Sequence, residues 1–257
     1  MSTQIGELEE YVVQKQKDMR SEKISKMAAL GESTTWGYSV SSKDKCFVNL
    51  TCQMLEEFQG APIELINQGI GANVLTTLCP AYDISVKPCA HERLQEDVIN
   101  QNPDLLLLSY GLNDSRGGIN VLTFKEEYQR LIDRIRAEIN PIIVILNTFY
   151  MHEEFYDLAE WNHSNYEVTD IFNLAIKQLA EQNKLILADI YSAEAGVDWV
   201  VDNDHCHPND LGHRLIANRV FEAIVRNCSF TALTIPEPSR IVDFQNAYGG
   251  GRPETVK

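Results

Sequence analysis

Five short apolar runs recur along the chain with room for a helix between successive runs, and this rhythm limits the fold more than any other feature. The runs are Ile24 to Leu30, Pro62 to Gln68, Asp104 to Tyr110, Ile142 to Thr148 and Lys184 to Ile190. Each is rich in Leu or β-branched residues and ends near Gly, Asn or Ser, as strands covered on both faces do. Between them lie patterns of helical period. One opens at Thr123 with Glu126 three residues on, a capping box, and sets Phe124, Tyr128, Leu131, Ile132, Ile135 and Ile139 on one face. A second presents Val168, Ile171, Phe172, Ala175 and Leu179, and a third runs from about Asn209 to Val225. The alternation predicts an α/β fold, a three-layer α/β/α sandwich with about five parallel strands and right-handed crossovers. Ligands then gather at the C-terminal ends of the strands.

With 257 residues and 29.1 kDa, folding would leave roughly 11,000 of 42,000 Å² exposed, so about 73% of the surface is available for burial. A full core needs no disulfide. The reading is one domain over residues 24–230, an N-terminal helical extension over 1–23 and a C-terminal arm or disordered tail over 231–257. Within the extension, Gly6 to Met19 has the character of an amphipathic helix, and either end offers a surface for a homo-oligomer.

Lys+Arg 22 against Asp+Glu 37 gives a net charge of −15, which repels nucleic-acid phosphates and anionic membrane surfaces. Neither is an expected partner. The excess concentrates between Tyr150 and His205, where Glu153, Glu154, Asp157, Glu160, Glu167, Asp170, Glu181, Asp189, Glu194, Asp198, Asp202 and Asp204 meet only Lys177 and Lys184. Such a run reads first as a solvated acidic face. The N-terminus lacks the basic and apolar stretches of a signal peptide, and no apolar run approaches the ~20 residues of a membrane-spanning helix. Cys46, Cys52, Cys79, Cys89, Cys206 and Cys228 contain no CxxC pair. Reduced thiols and a cytoplasmic location are expected, with a Cys79–Cys89 bridge left open.

The chemistry-bearing residues stand at the ends of the apolar runs. Ser33, in Leu30-Gly31-Glu32-Ser33, follows the first run, where a hydroxyl either caps a helix or faces solvent at the sheet edge. Asn113, in Gly111-Leu112-Asn113-Asp114, follows the third and is a turn residue on the plainest reading. Near the C-terminus stands Asp204-His205-Cys206-His207-Pro208, with His213 beyond it. An Asp three residues before a His can hold Nδ1–H while Nε2 turns to a nucleophile, as a serine hydrolase requires. The same cluster invites a metal reading, but the spacing of His205 and His207 lacks the further His of common metallohydrolase runs.

Taken together these blocks resemble the SGNH (GDSL-like) hydrolase family, over roughly residues 24 to 228. The four matching blocks are Gly31-Glu32-Ser33, Asn67-Gln68-Gly69-Ile70-Gly71-Ala72, Gly111-Leu112-Asn113-Asp114 and Asp204-His205-Cys206-His207. The nucleophile elbow Gly-x-Ser-x-Gly of ordinary α/β-hydrolases is absent. The resemblance implies Ser33 as nucleophile, His207 as general base and acid, and Asp204 as its orienting partner. It further implies an oxyanion hole from Asn113 and the backbone N–H groups of Ser33 and of Gly71 or Ala72. No metal or organic cofactor is implied. His213 is expected to be structural. The sequence departs from the family at Glu32, which stands where relatives carry Asp, and at Ala72, which can donate its N–H if its φ is negative.

Tyr150, Phe155 and Trp161, in the long aromatic segment after the fourth run, are the candidate substrate-binding residues, although rings there also serve to pack a loop. If the acidic stretch borders the cleft, it disfavours anionic esters. The expected activity is hydrolysis of short-chain acyl esters, acetyl above all, of a neutral carbohydrate. A lipolytic acylhydrolase or thioesterase, and a catalytically silent binding protein of the same fold, are the alternatives.

Overall fold

The computed structural model describes residues 17–157 and 159–230. Five parallel strands form one sheet: β1 (Lys26–Gly31), β2 (Glu64–Gly69), β3 (Leu105–Ser109), β4 (Ile142–Leu146) and β5 (Ile186–Ala188). Their order across the sheet is β2-β1-β3-β4-β5. Eight α-helices accompany them among the described residues: α1 (Ser33–Trp36), α2 (Phe47–Gln59), α3 (Ala90–Leu94), α4 (Leu112–Arg116), α5 (Val121–Glu138), α6 (Tyr166–Asn183), α7 (Tyr191–Glu194) and α8 (Asp210–Val225).

Strand side chains alternate between two apolar clusters. Met27, Ala29, Leu105, Leu107, Val144 and Leu146 pack with α2 and α8, whereas Ala28, Leu30, Leu106, Leu108, Ile143 and Ile145 pack with α3, α5 and α6. This is the three-layer α/β/α arrangement expected of strands buried on both faces. The expected runs differ from the strands at the two edges. β2 is half-exposed because it has a neighbour on one side only. β5 shrinks to three residues because Lys184 takes a left-handed conformation (φ 53°) to end α6.

The boundary of α5 is a correction. It begins at Val121, not Thr123, because the Asn120 side chain accepts the Leu122 N–H at 2.9 Å and caps the helix two residues earlier. In α6, Ile171 is exposed, so the buried stripe is narrower than the spacing implied. Residues 17–19 are not helical. The rest of the Gly6 to Met19 segment, and the arm over 231–257, lie outside the described residues. All six cysteines are buried and unbridged, Cys79 and Cys89 included.

The chain leaves β1 toward β2 on one side and returns to β3 on the other, so the crevice beside β1 is the switch point where open α/β sheets bind ligands. Gly69 is needed there. A Cβ on it would stand 2.0 Å from the backbone N of Trp36, so only glycine lets α1 settle against β2 and fixes where Ser33 points.

Candidate active site

Glu32 occupies the N-cap position of α1, and Ser33 is its first helical residue, so the Ser33 hydroxyl is not a cap. It lies 2.8 Å from Nε2 of His207 instead. On the other side of the ring, Nδ1 lies 2.6 Å from Asp204 Oδ2. An ionised carboxylate only accepts hydrogen bonds, so the proton sits on Nδ1 and Nε2 accepts from the serine hydroxyl. Asp204 Oδ1 meanwhile accepts the backbone N–H groups of Cys206 and His207, each at 2.9 Å. One carboxylate thereby shapes its own loop and orients the imidazole.

Burial pushes the Asp204 carboxyl up, but those N–H groups and the His207 ring outweigh it and hold the group below its ordinary value. Burial pushes the His207 imidazole down against the pull of Asp204, so the ring is a neutral base at neutral pH. Tyr38 packs on this ring at 4.4 Å between centroids and Phe149 at 6.1 Å.

Asn113 lies in α4, just past β3. Its Nδ2 donates to the Asn73 carbonyl at 3.1 Å, which uses one of its two amide hydrogens. Asn73 is itself pinned, donating to the Val86 and Pro88 carbonyls and accepting the Tyr110 hydroxyl at 2.8 Å. Beneath it, buried Arg93 donates to the carbonyls of Gln68 and Gly31 and so ties the C-terminal ends of β1 and β2 together. Gly71 and Ala72 reach the same pocket as Ser33 and Asn113. Ala72 has φ +50°, not the negative φ under which its amide was expected to serve, whereas a Cβ on Gly71 would meet open space.

These groups border a cavity of about 370 Å³. Phe155 and Trp161 line it; Tyr150 does not. Tyr150 is buried behind the wall with its hydroxyl donating to Asp198 Oδ1 at 2.8 Å and its ring stacked on Tyr166. The extended chain after β4 turns alternate side chains to opposite sides, and Phe149 takes the pocket side. Tyr38, Val86, Leu112, Arg116, Phe149 and Cys206 complete the lining and were not among the sequence candidates. The Asn113 and Arg116 positions share a helix face by their spacing of three, the one signal in the sequence by which Arg116 could have been found.

No Asp or Glu among the described residues lines the cavity, so the described part of the acidic stretch does not border the cleft itself. The histidine cluster disperses. His205 faces His152, with 2.9 Å between their Nδ1 atoms, and buried His213 accepts the Phe47 N–H and donates to the Tyr38 carbonyl. Among the described residues no three His, Cys, Asp or Glu side chains group as metal ligands, and no helix is long and apolar enough to cross a membrane.

Known proteins resemble this chain in sequence and in fold. Residues 29–215 match the model of the GDSL-like lipase/acylhydrolase family. An acetylxylan esterase from Geobacillus stearothermophilus is 24% identical over 180 residues, which are 63% of this chain and 72% of that protein. A lipase/acylhydrolase from Enterococcus faecalis superimposes with a TM-score of 0.64 at 19% identity, over 78% of this chain and 95% of its own. The crystal structure of an acetylxylan esterase from Geobacillus stearothermophilus gives a TM-score of 0.61 at 18% identity, over 80% and 96%. The chain belongs to the GDSL-like lipase/acylhydrolase family and is a carboxylic ester hydrolase.

Proposed function

We propose that this chain is a serine esterase that removes short acyl groups, acetyl above all, from a carbohydrate through a Ser33-His207-Asp204 triad. The observation that carries the reading is the unbroken relay from Asp204 through His207 to Ser33 on the wall of the cavity.

Ser33 Oγ attacks the ester carbonyl carbon while its proton passes to His207 Nε2. The developing imidazolium is stabilised by Asp204, and the tetrahedral oxyanion by the free amide hydrogen of Asn113 and the backbone N–H groups of Ser33 and Gly71. Collapse breaks the bond to the alcohol oxygen, which leaves with the proton from Nε2. Water, deprotonated by the same nitrogen, then releases the acid and restores the serine.

Support for a short acyl group comes from the cavity volume, which sits near the low end of the ~300 to 1,000 Å³ of small-molecule sites. Support for a carbohydrate comes from the aromatic walls Tyr38, Phe149, Phe155 and Trp161, whose faces can stack on sugar rings, and from relatives named as acetylxylan esterases. The expectation of a neutral alcohol rested on acidic residues bordering the cleft, and among the described residues the lining carries none.

A serine-directed phosphonate should label Ser33, as peptide mapping will show. Ser33→Ala should lower kcat/KM by ~10³-fold or more, with little further loss when His207→Ala is added, because the triad acts as a unit. A loss below tenfold for Ser33→Ala would overturn the assignment. Rates on one alcohol should fall from acetyl to butyryl to octanoyl esters; a rise would favour a lipolytic acylhydrolase.

A further inference from the structure

A buried arginine on the cavity wall has no counter-ion among the described residues. Arg116, 6% exposed, sits one turn after Asn113 on α4 and lines the cavity beside Phe149 and Cys206. Its guanidinium makes two long hydrogen bonds, Nη2 to the Phe155 carbonyl at 3.4 Å and Nη1 to Cys206 Sγ at 4.0 Å, and lies over the Phe155 ring at 5.2 Å from its centroid, while Nε has no partner. Among the described residues no carboxylate lies within the 4.0 Å of an ion pair. We propose that Arg116 is a specificity-determining residue that binds a carboxylate carried by the substrate in this cavity.

Arg93 shows what a matched guanidinium looks like in the same protein. It is equally buried and its Nε is likewise unpartnered, yet its two terminal nitrogens make five hydrogen bonds, one of them to Asp97 Oδ2 at 2.7 Å. A guanidinium taken out of water without a counter-charge costs several kcal/mol. The Phe155 ring, its centroid 5.2 Å from the guanidinium carbon, offsets part of this cost but supplies no counter-charge. Burial pushes the Cys206 thiol up to about 12, so it carries no charge near neutral pH. Glu32 feels Arg116 through space, but its Oε1 is engaged by the N–H groups of Asn113 and Gly111. A substrate carboxylate entering the cavity supplies two acceptor oxygens in the geometry a guanidinium matches.

The net charge of −15 is no obstacle at contact distance, because repulsion from surface carboxylates is screened beyond ~8 Å at physiological salt. The inference rests on the esterase reading and deepens it. The carboxylate belongs either to the acyl group or to the alcohol, and two matched pairs of esters separate these sources. On the acyl side the pair is 4-nitrophenyl hemisuccinate and 4-nitrophenyl butyrate; on the alcohol side it is acetylated methyl glucuronoside and acetylated methyl glucoside.

In one pair the wild-type protein should favour the carboxylate ester by at least ~10-fold in kcat/KM, and Arg116→Gln should cost that ester ~30- to 100-fold and its neutral partner less than ~3-fold. Arg116→Lys should restore part of the preference. Equal or better turnover of the neutral ester in both pairs overturns the proposal, as does an equal fall of both partners in Arg116→Gln, the mark of a purely structural arginine. Calorimetric titration of wild-type protein with succinate and with methyl glucuronoside reads the site without turnover or a variant, and no binding of either at millimolar concentration also overturns it. Failure of the esterase reading looks different: none of the four esters is hydrolysed and Ser33 takes no phosphonate, while the titration still reports on Arg116.

Discussion

The Glu32 carboxyl accepts the backbone N–H of Asn113 at 3.0 Å and so fastens the turn that carries Ser33 to the turn that carries Asn113. A second bond from the Gly111 N–H at 3.4 Å falls on the same oxygen. Nucleophile and amide donor approach from strands β1 and β3, and this side chain holds their loops in register at the sheet edge.

Replacing Glu32 should therefore separate acceptor from charge. Burial, reinforced by neighbouring Asp114, holds the Glu32 carboxyl well above its ordinary value. A neutral isostere that keeps an oxygen in place should be nearly silent, and we expect Glu32→Gln to stay within ~5-fold of wild-type kcat/KM. Glu32→Ala leaves two buried N–H groups unpaired, at a cost of ~1 to 3 kcal/mol of stability. Its kcat should fall ~10- to 100-fold, because small misplacements of a catalytic group are costly. Steady-state kinetics and thermal melts of both variants check this; a Gln variant as damaged as the Ala variant would show that charge is what matters.

The layers and strands were legible because parallel strands covered on both faces must be apolar at consecutive positions, as Leu105 to Leu108 are. The candidate constellation was legible because its groups follow strand ends, and the sheet delivers strand ends to one edge. What could not be read depended on how loops turn. Phe149 and Tyr150 are adjacent aromatics, and only the path of the chain after β4 sends one into the pocket and the other behind it. Arg116 resembles any surface arginine until the aromatic loop and the histidine loop close over it. The start of α5 was read at Thr123 because a capping box is visible in sequence, whereas it is the Asn120 side chain that meets an N–H in the fold.

The acid limb of activity reports on His207. The ring must be unprotonated to take the Ser33 proton, and its folded-state pKa is pushed below 6.5 chiefly by burial. Protonation, and with it loss of activity, thus comes only at lower pH than for an exposed imidazole. A kcat/KM profile should be flat from pH 8 to near 7 and fall with a midpoint below 6.5. A midpoint at or above 6.5 would contradict the burial-dominated environment.

His213 should make the fold, not the chemistry, sensitive to acid. Burial pushes its imidazole down to about 4, against 6.5 when exposed. As pH falls through this window the unfolded chain takes up a proton that the folded chain refuses, so stability drops with acidification. From pH 7 to pH 5 the loss is ~2 kcal/mol. His213→Gln removes the titration, so the difference in unfolding free energy between wild type and variant should move by that amount in the variant's favour. Urea unfolding at the two pH values measures it, and a difference independent of pH would remove His213 from the account.

Gly212 tests how firmly helix α8 supports the histidine loop. A Cβ at this position would stand 2.5 Å from the Val200 carbonyl oxygen, 2.7 Å from Pro208 Cβ and 2.8 Å from Glu194 Oε1. Val200 is backbone and cannot swing aside, while Pro208 follows His207 directly and joins Val201 in a β-bridge. Gly212→Ala must therefore push the first turn of α8 away from the loop that holds Asp204 and His207. Overpacking of this kind costs ~1 to 3 kcal/mol, and each kcal/mol lowers Tm by ~2 to 4 °C in a chain of this size. Because the displaced segment carries the base, kcat/KM should fall at least ~10-fold in protein that is still fully folded at the assay temperature. A variant with wild-type Tm and wild-type activity would mean that the loop is positioned by Asp204 alone, through its bonds to Cys206, His207 and the imidazole, and that α8 merely lies alongside.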